Sequence, residues 1–231
     1  MKKFLFSTTF AAFILAAVSI TAFAQQNWRH YPLNSQEPSA RDGRLRARPG
    51  VYDPDRTGII VSEWRNGIGL PDDRGNTNFA LYLAKNGSTG INAAAGVLID
   101  GIEGLVVSPT TVFGYDIKDG GQCSAGAPRF NVITDTGALY FVGGCTYGTR
   151  TDLGGGWTRV TFTAADAFNA TSGQQTGIPA GETIIFTSLV FDEGTDQGPG
   201  FAILDNININ NSFITKPGAA NPKRQGKGNS R

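Results

Sequence analysis

The sequence predicts an all-β protein: a jelly-roll β-sandwich of about ten short antiparallel strands, with disordered N- and C-terminal tails. Three observations lead to this fold class. Apolar residues alternate with polar ones in many short runs, as in Leu81 and Leu83 or Val160 and Phe162. Gly, Asn, Asp and Pro separate these runs, and glycine alone accounts for 31 of the 231 residues. Helical periodicity is almost absent, which argues against a helical bundle.

The first 24 residues have the pattern of a secretory signal peptide. Lys2 and Lys3 precede an apolar run at 4–17, and Thr21–Ala24 ends in a small-residue cleavage pattern. A membrane anchor is the alternative, but it needs about 20 uninterrupted apolar residues, and Thr and Ser interrupt this run. We therefore expect cleavage after Ala24 and a protein that is secreted, either extracellular or periplasmic, with no membrane span.

Charge divides the remaining chain into three parts. The segment 25–50 and the tail 216–231 are basic and rich in turn-forming residues, so we expect both to be flexible and the folded domain to span 51–215. That body has 8 basic and 17 acidic residues. Its net negative charge makes nucleic acid a poor partner, because phosphate binding requires Lys and Arg along one surface. The basic tails are either solvated ends or docking segments for polyanions of the cell envelope.

The predicted strands follow one another with turn residues between them. Most contain two or three alternating apolar positions, which indicates that one face of each strand is buried. The runs that we interpret as strands are, in chain order, residues 58–64, 79–84, 96–99, 104–107, 111–117, 130–134, 138–142, 157–163, 183–192 and 201–209.

The two cysteines are placed to form a disulfide. Cys123 and Cys145 flank the predicted strands at 130–134 and 138–142, and Asp135-Thr136-Gly137 between those strands is a hairpin turn signal. A hairpin brings its two flanks together, and export to an oxidising compartment favours the bond. Two free thiols are the alternative.

Carboxylates cluster near the end of the predicted domain. Asp192 and Asp196 lie in a Gly-rich turn, and Asp205 lies in the following strand. Carboxylate and carbonyl oxygens are the ligands that Ca²⁺ requires, so these three residues are the candidate ligands of a structural calcium site. The alternative is that the acids only shape turns, for which Asp is well suited.

Two levels of resemblance support the fold. The blocks Gly156–Phe162 and Gly200–Ile207 resemble the closing strands of galactose-binding-like jelly rolls and of many carbohydrate-binding modules. This resemblance implies a calcium ligand at Asp205. Residues 59–210 also resemble a family of secreted bacterial proteins, through blocks at 123–132, 156–160, 191–196 and 204–207. That family implies no activity.

Exposed aromatic rings are the candidates for ligand binding. β-Sandwiches bind sugars through rings that stack on the pyranose face, and Trp64 and Tyr147 adjoin polar or Gly-rich loops. A core position is the alternative for each ring. Catalytic patterns are weak: the single His lies at position 30, and Asp192 and Glu193 are adjacent, so on a strand they would face opposite sides.

These observations leave three functional classes open. The first is a secreted, non-catalytic module that binds carbohydrate or another envelope polymer, with calcium as a structural ion and no other cofactor. The second is an envelope or matrix module that binds proteins. The third is a glycan-cleaving enzyme. The sequence does not determine the oligomeric state.

Overall fold

The computed structural model describes residues 44–71, 78–89, 93–192, 198–218 and 221–222. These residues form two antiparallel sheets packed face to face, so the predicted β-sandwich is confirmed. The predicted signal peptide at 1–24 lies outside the described residues. So do Asp196 and most of both predicted tails.

The first sheet has six strands. Each is antiparallel to its neighbours. In spatial order they are β1 (Arg46–Tyr52), β4 (Ala94–Asp100), β11 (Ile184–Phe191), β6 (Arg129–Thr134), β7 (Leu139–Gly143) and β10 (Phe168–Asn169).

The second sheet has eight strands, and its longest, β12 (Gly200–Ile209), holds it together. The N-terminal half of β12 pairs with β3 (Ala80–Lys85), which in turn pairs with β2 (Ile60–Arg65). The other strands, in spatial order, are β14 (Asn221–Pro222) and β13 (Ser212–Ile214) before β12, then β5 (Val112–Lys118), β9 (Trp157–Thr163) and β8 (Thr149–Gly154).

The core lies between the two sheets because side chains alternate along each strand. On β5, Phe113, Tyr115 and Ile117 point inward and are at most 2% exposed. Facing them from the six-stranded sheet are Phe130 and Val132 of β6, both fully buried. The chain crosses repeatedly from one sheet to the other, as in a jelly roll.

The structure corrects several predicted boundaries. The sandwich begins at Arg46 and not at residue 51, because β1 pairs along its whole length with β4. Pro49 is tolerated there since β1 is an edge strand. The predicted strand at 104–107 is wrong: only Val106 forms an isolated bridge, to Thr183. At the other end, β14 lies within the predicted tail and pairs with β13.

The predicted hairpin and disulfide are both confirmed. β6 and β7 pair in register around the turn, where Gly137 has a φ of 79°. The bond between Cys123 and Cys145 joins Cα atoms that are 5.0 Å apart. It attaches the segment that leads into β6 to the 3-10 turn Cys145–Tyr147 that follows β7. Among the described residues no helix has the length and apolar character needed to cross a membrane.

Candidate functional site

The outer face of the six-stranded sheet carries one row of side chains that crosses all six strands. The register pairs Arg48 with Leu98, Leu98 with Ser188, and so on across the sheet. Directly opposed residues of antiparallel strands point to the same face, so the six side chains stand side by side over roughly 24 Å. We call them the outer-face row: Arg48, Leu98, Ser188, Asn131, Phe141 and Phe168.

Aromatic rings form one end of this row. Phe141 and Phe168 are direct cross-strand partners and are both half-buried. The Tyr147 ring lies 5.9 Å from the Phe168 ring and is tilted by 48°, which extends the aromatic surface beyond the sheet edge. Tyr147 is 61% exposed. The sequence-predicted residue Tyr147 therefore belongs to a surface of three adjacent rings.

An ion pair adjoins the aromatic end. Arg129 donates from Nη1 and Nη2 to the two carboxylate oxygens of Asp192, at 2.8 and 2.6 Å. Its guanidinium carbon also lies 5.0 Å from the centre of the Phe141 ring. Paired and stacked in this way, the nearly buried Arg129 side chain holds a fixed orientation. Asp192 was predicted as a calcium ligand; its carboxylate accepts two hydrogen bonds from Arg129, and calcium at this residue stays a prediction.

The middle of the row is polar and deep. Ser188 and Asn131 are direct cross-strand partners and are 0% and 3% exposed. The half-buried side chains of Leu98 and Phe141 stand on either side of them. Among the residues that the structure describes, neither Ser188 Oγ nor Asn131 Oδ1 has a hydrogen-bond partner. Buried polar atoms are nearly always hydrogen-bonded, so these two oxygens require an explanation.

A second ion pair closes the opposite end of the row. Arg48 donates from Nε and Nη2 to the carboxylate of Asp100, with the Nη2 to Oδ1 distance at 2.8 Å. The outer-face row thus begins at the Arg48–Asp100 pair and passes through a polar centre. It ends in the aromatic surface, beside the Arg129–Asp192 pair.

Trp64, the other predicted ligand-binding ring, lies on the inner side of β2. It packs against the core, and its indole Nε1 donates to the carbonyl oxygen of Ala47 at 3.0 Å. Because Ala47 belongs to β1, this hydrogen bond of Trp64 links β2 to the first sheet. This placement favours the packing role that the sequence also allowed and argues against stacking on a sugar.

Asp205, the remaining predicted calcium ligand, is 1% exposed and lies on the outer face of β12. Its Oδ2 accepts the backbone N–H of Leu70 at 2.8 Å, and its Oδ1 accepts that of Asn206 at 2.6 Å. A Cβ at Gly69 would collide with the carbonyl oxygen of Phe79 and lie 2.8 Å from Asp205 Oδ2. Asp205 therefore anchors the loop at 66–71.

Asp116 lies directly opposite Asp205 in the register of β5 and β12 and is 0% exposed. Arg159 donates to both of its carboxylate oxygens, at 2.7 and 2.8 Å, and Asn206 Nδ2 donates to Oδ2 at 2.7 Å. The pKa of Arg159 is raised, chiefly by these hydrogen bonds to Asp116. Within the described ranges no three His, Cys, Asp or Glu side chains are grouped to hold a metal ion. Calcium binding stays a prediction.

Comparison with known proteins identifies no family for this chain. The chain matches no protein-family model and no curated protein. The resemblance to secreted bacterial jelly rolls stays a prediction.

Most of the outer-face row was missed at the sequence level. The alternation in Arg129-Phe130-Asn131-Val132 does indicate that Arg129 and Asn131 face outward. It does not indicate that Ser188 and Phe141 lie beside Asn131, because cross-strand register depends on pairings between distant segments. Phe141 and Phe168 also look like core residues in the sequence, since large aromatic side chains are usually buried.

Proposed function

We propose that this protein is a secreted, non-catalytic module that binds carbohydrate on the outer face of its six-stranded sheet. One observation carries the proposal: three adjacent aromatic rings, Tyr147, Phe168 and Phe141, continue directly into the fixed Arg129–Asp192 pair. Sugar rings present an apolar face of C–H groups and an edge of hydroxyl groups. A surface that joins aromatic rings to fixed hydrogen-bonding groups matches both.

The chemistry of the ion pair suits hydroxyl recognition. A guanidinium donates only, and a carboxylate accepts only. Adjacent hydroxyl groups of a sugar act as donor and acceptor, so they pair with both members of the Arg129–Asp192 unit. Because that unit is already ordered, a ligand does not lose binding free energy to fix it in place.

The same geometry favours binding over hydrolysis. Glycoside hydrolysis uses two carboxyl groups across a cleft, and one of them has to give a proton to the leaving group. Asp192 and Asp100 lie beside the outer-face row, and each accepts two hydrogen bonds from an arginine. Both therefore serve to orient a guanidinium.

A panel of neutral hexasaccharides of glucose, xylose, mannose and galactose tests this proposal by isothermal titration calorimetry. We expect one member of the panel to bind the wild-type protein, and Phe141→Ala and Tyr147→Ala each to weaken that binding at least tenfold, because each removes a stacking surface. Phe201→Ala is the matched control, since Phe201 is 38% exposed on the opposite sheet. Failure of the whole panel to bind the wild-type protein would contradict the proposal.

One observation favours protein binding as a second candidate function. On the outer face of the eight-stranded sheet, Tyr82 and Phe201 stack with their ring centres 6.2 Å apart, and the Arg65 guanidinium lies 3.7 Å from the Tyr82 ring centre. Tyr, Phe and Arg are enriched in protein interfaces. If this surface carries the function, Phe201→Ala removes self-association or partner capture, whereas Phe141→Ala leaves it intact.

A further inference from the structure

Two buried polar side chains lie at the centre of the outer-face row, Ser188 and Asn131. Ser188 Oγ and Asn131 Oδ1 lie on directly opposed residues of β11 and β6, and both are buried without a hydrogen-bond partner. An orphaned buried polar atom costs about as much free energy as a lost hydrogen bond. Such atoms are expected in a folded protein where a ligand or a bound water later satisfies them.

The two oxygens lie close to the aromatic surface. Asn131 lies between Ser188 and Phe141 in the same row, and Arg129 is two residues from Asn131 on the same face of β6. A sugar ring stacked on Phe141 and bound at its edge by Arg129 therefore directs its remaining hydroxyl groups toward Asn131 and Ser188. The half-buried side chains of Leu98 and Phe141 form the walls of this approach.

We propose that Ser188 and Asn131 form a subsite that receives one hydroxyl group of a neutral sugar, with that hydroxyl donating to Asn131 Oδ1 and accepting from the Ser188 hydroxyl. The subsite rests on the proposed carbohydrate-binding function and deepens it by naming the residues that select the ligand.

The charges around the subsite select a neutral ligand. Arg48 belongs to the row and Arg129 lies beside it, and each already binds an aspartate through two hydrogen bonds. Their positive charge is therefore compensated within the protein. A carboxylate-bearing sugar has to compete with Asp192 or Asp100 for a guanidinium, whereas a hydroxyl-bearing sugar adds to the existing pairs.

Three variants test the subsite in the full chain, with the neutral hexasaccharides above as probes and the corresponding galacturonic acid hexasaccharide as acidic comparator. Ser188→Ala and Asn131→Leu remove the two polar groups, and we expect each to weaken binding of the neutral ligand roughly five- to tenfold. Ser188→Ala should leave the melting temperature unchanged or raise it, because the hydroxyl that it deletes has no partner.

Thr187→Val is the matched control. Thr187 is the neighbour of Ser188 on β11, is 1% exposed, and also has a buried hydroxyl without a partner, but its side chain points to the inner face. Loss of that hydroxyl should not change binding. If the unpartnered hydroxyl groups of this strand had only a structural role, Thr187→Val and Ser188→Ala would change ligand binding equally.

The outcomes separate this inference from the function on which it rests. If the wild-type protein binds no hexasaccharide, the proposed function fails. If it binds and Phe141→Ala weakens binding while Ser188→Ala and Asn131→Leu do not, the function stands and the subsite is overturned. Equal or tighter binding of the galacturonic acid hexasaccharide overturns the selection for a neutral ligand.

Discussion

At the scale of single residues, Tyr115 links the core to the segment that positions Arg129. Its hydroxyl donates to the carbonyl oxygen of Pro128 at 2.8 Å, and the side chain is 1% exposed. Burial raises the pKa of Tyr115 above its ordinary value of 10.0. Because the native state keeps the proton that the unfolded state releases, this stabilisation is complete below about pH 10 and is lost as the pH rises further.

Urea unfolding between about pH 8 and pH 11 measures this dependence. Wild-type stability should fall with pH above about 10, and Tyr115→Phe should flatten the fall while costing about 1 kcal/mol at neutral pH through the lost hydrogen bond. Some slope should persist, since burial and the nearby charge of Glu182 also raise the pKa of Tyr140. Tyr147→Phe, which removes an exposed hydroxyl, is the control. An unchanged slope in Tyr115→Phe would contradict the assignment.

A second prediction for single residues concerns the ion pair between the buried Asp116 and Arg159. The carboxylate is 0% exposed and paired, whereas the Arg159 side chain remains 31% exposed. Arg159→Met leaves a buried charge without its main partner and should destabilise the protein by about 3 kcal/mol. The added change Asp116→Asn should restore part of this loss. Glu63→Gln, which breaks the exposed pair with Arg65, should cost less than about 1 kcal/mol. Equal effects of Arg159→Met and Glu63→Gln would refute a buried role for Asp116.

At the scale of elements, the disulfide holds two parts of the candidate site together. Cys123 precedes the segment that leads to Arg129, and Cys145 is two residues from Tyr147. The bond closes a loop of 22 residues, so Cys123→Ser with Cys145→Ser should lower the free energy of unfolding by about 3 kcal/mol. Ligand binding should weaken as well, because Tyr147 and Arg129 lose their common attachment. Full glycan affinity in this variant would show that the disulfide does not organise the site.

Calcium binding can be tested at Asp205, which anchors the loop at 66–71. If an ion binds at Asp205 as the sequence predicts, chelation lowers the melting temperature of the wild-type protein, since a ligand of the native state stabilises it by mass action. The shift should disappear in Asp205→Asn. An unchanged melting temperature with chelator would refute calcium and leave Asp205 as the acceptor for the N–H groups of Leu70 and Asn206.

The sequence predicts elements well where their two faces differ. In β5 and β9, apolar core-facing residues alternate with glycine or polar residues, as in Phe113 and Tyr115 or Val160 and Phe162. β5, β9 and β12 were each predicted within two residues of their bounds. β8 was missed because all of its residues are exposed, so no alternation marks it. β1 was missed because Pro49 and two arginines resemble a flexible segment, although an edge strand tolerates them. The outer-face row needs register across six strands, which local patterns do not contain.

At the scale of the whole molecule, charge separates two modes of binding. The body at 51–215 has 17 acidic and 8 basic residues, whereas the tails are basic. Binding to a polyanion through the tails would weaken steeply with salt, because exposed charges are screened within about 10 Å at 0.1 M ionic strength. Binding of a neutral glycan on the outer-face row relies on stacking and on hydrogen bonds near charges that are already paired, so salt should affect it little.

Titration of the bound hexasaccharide at about 50 mM and about 500 mM sodium chloride distinguishes these modes. We expect the dissociation constant to change less than twofold, because the guanidinium groups of Arg48 and Arg129 remain on Asp100 and Asp192 at both ionic strengths. A polyanion such as heparin, titrated in parallel, should lose at least tenfold if it binds the tails at all. A steep salt dependence of hexasaccharide binding would indicate that the ligand binds the basic tails. That result would refute the outer-face row as the ligand surface.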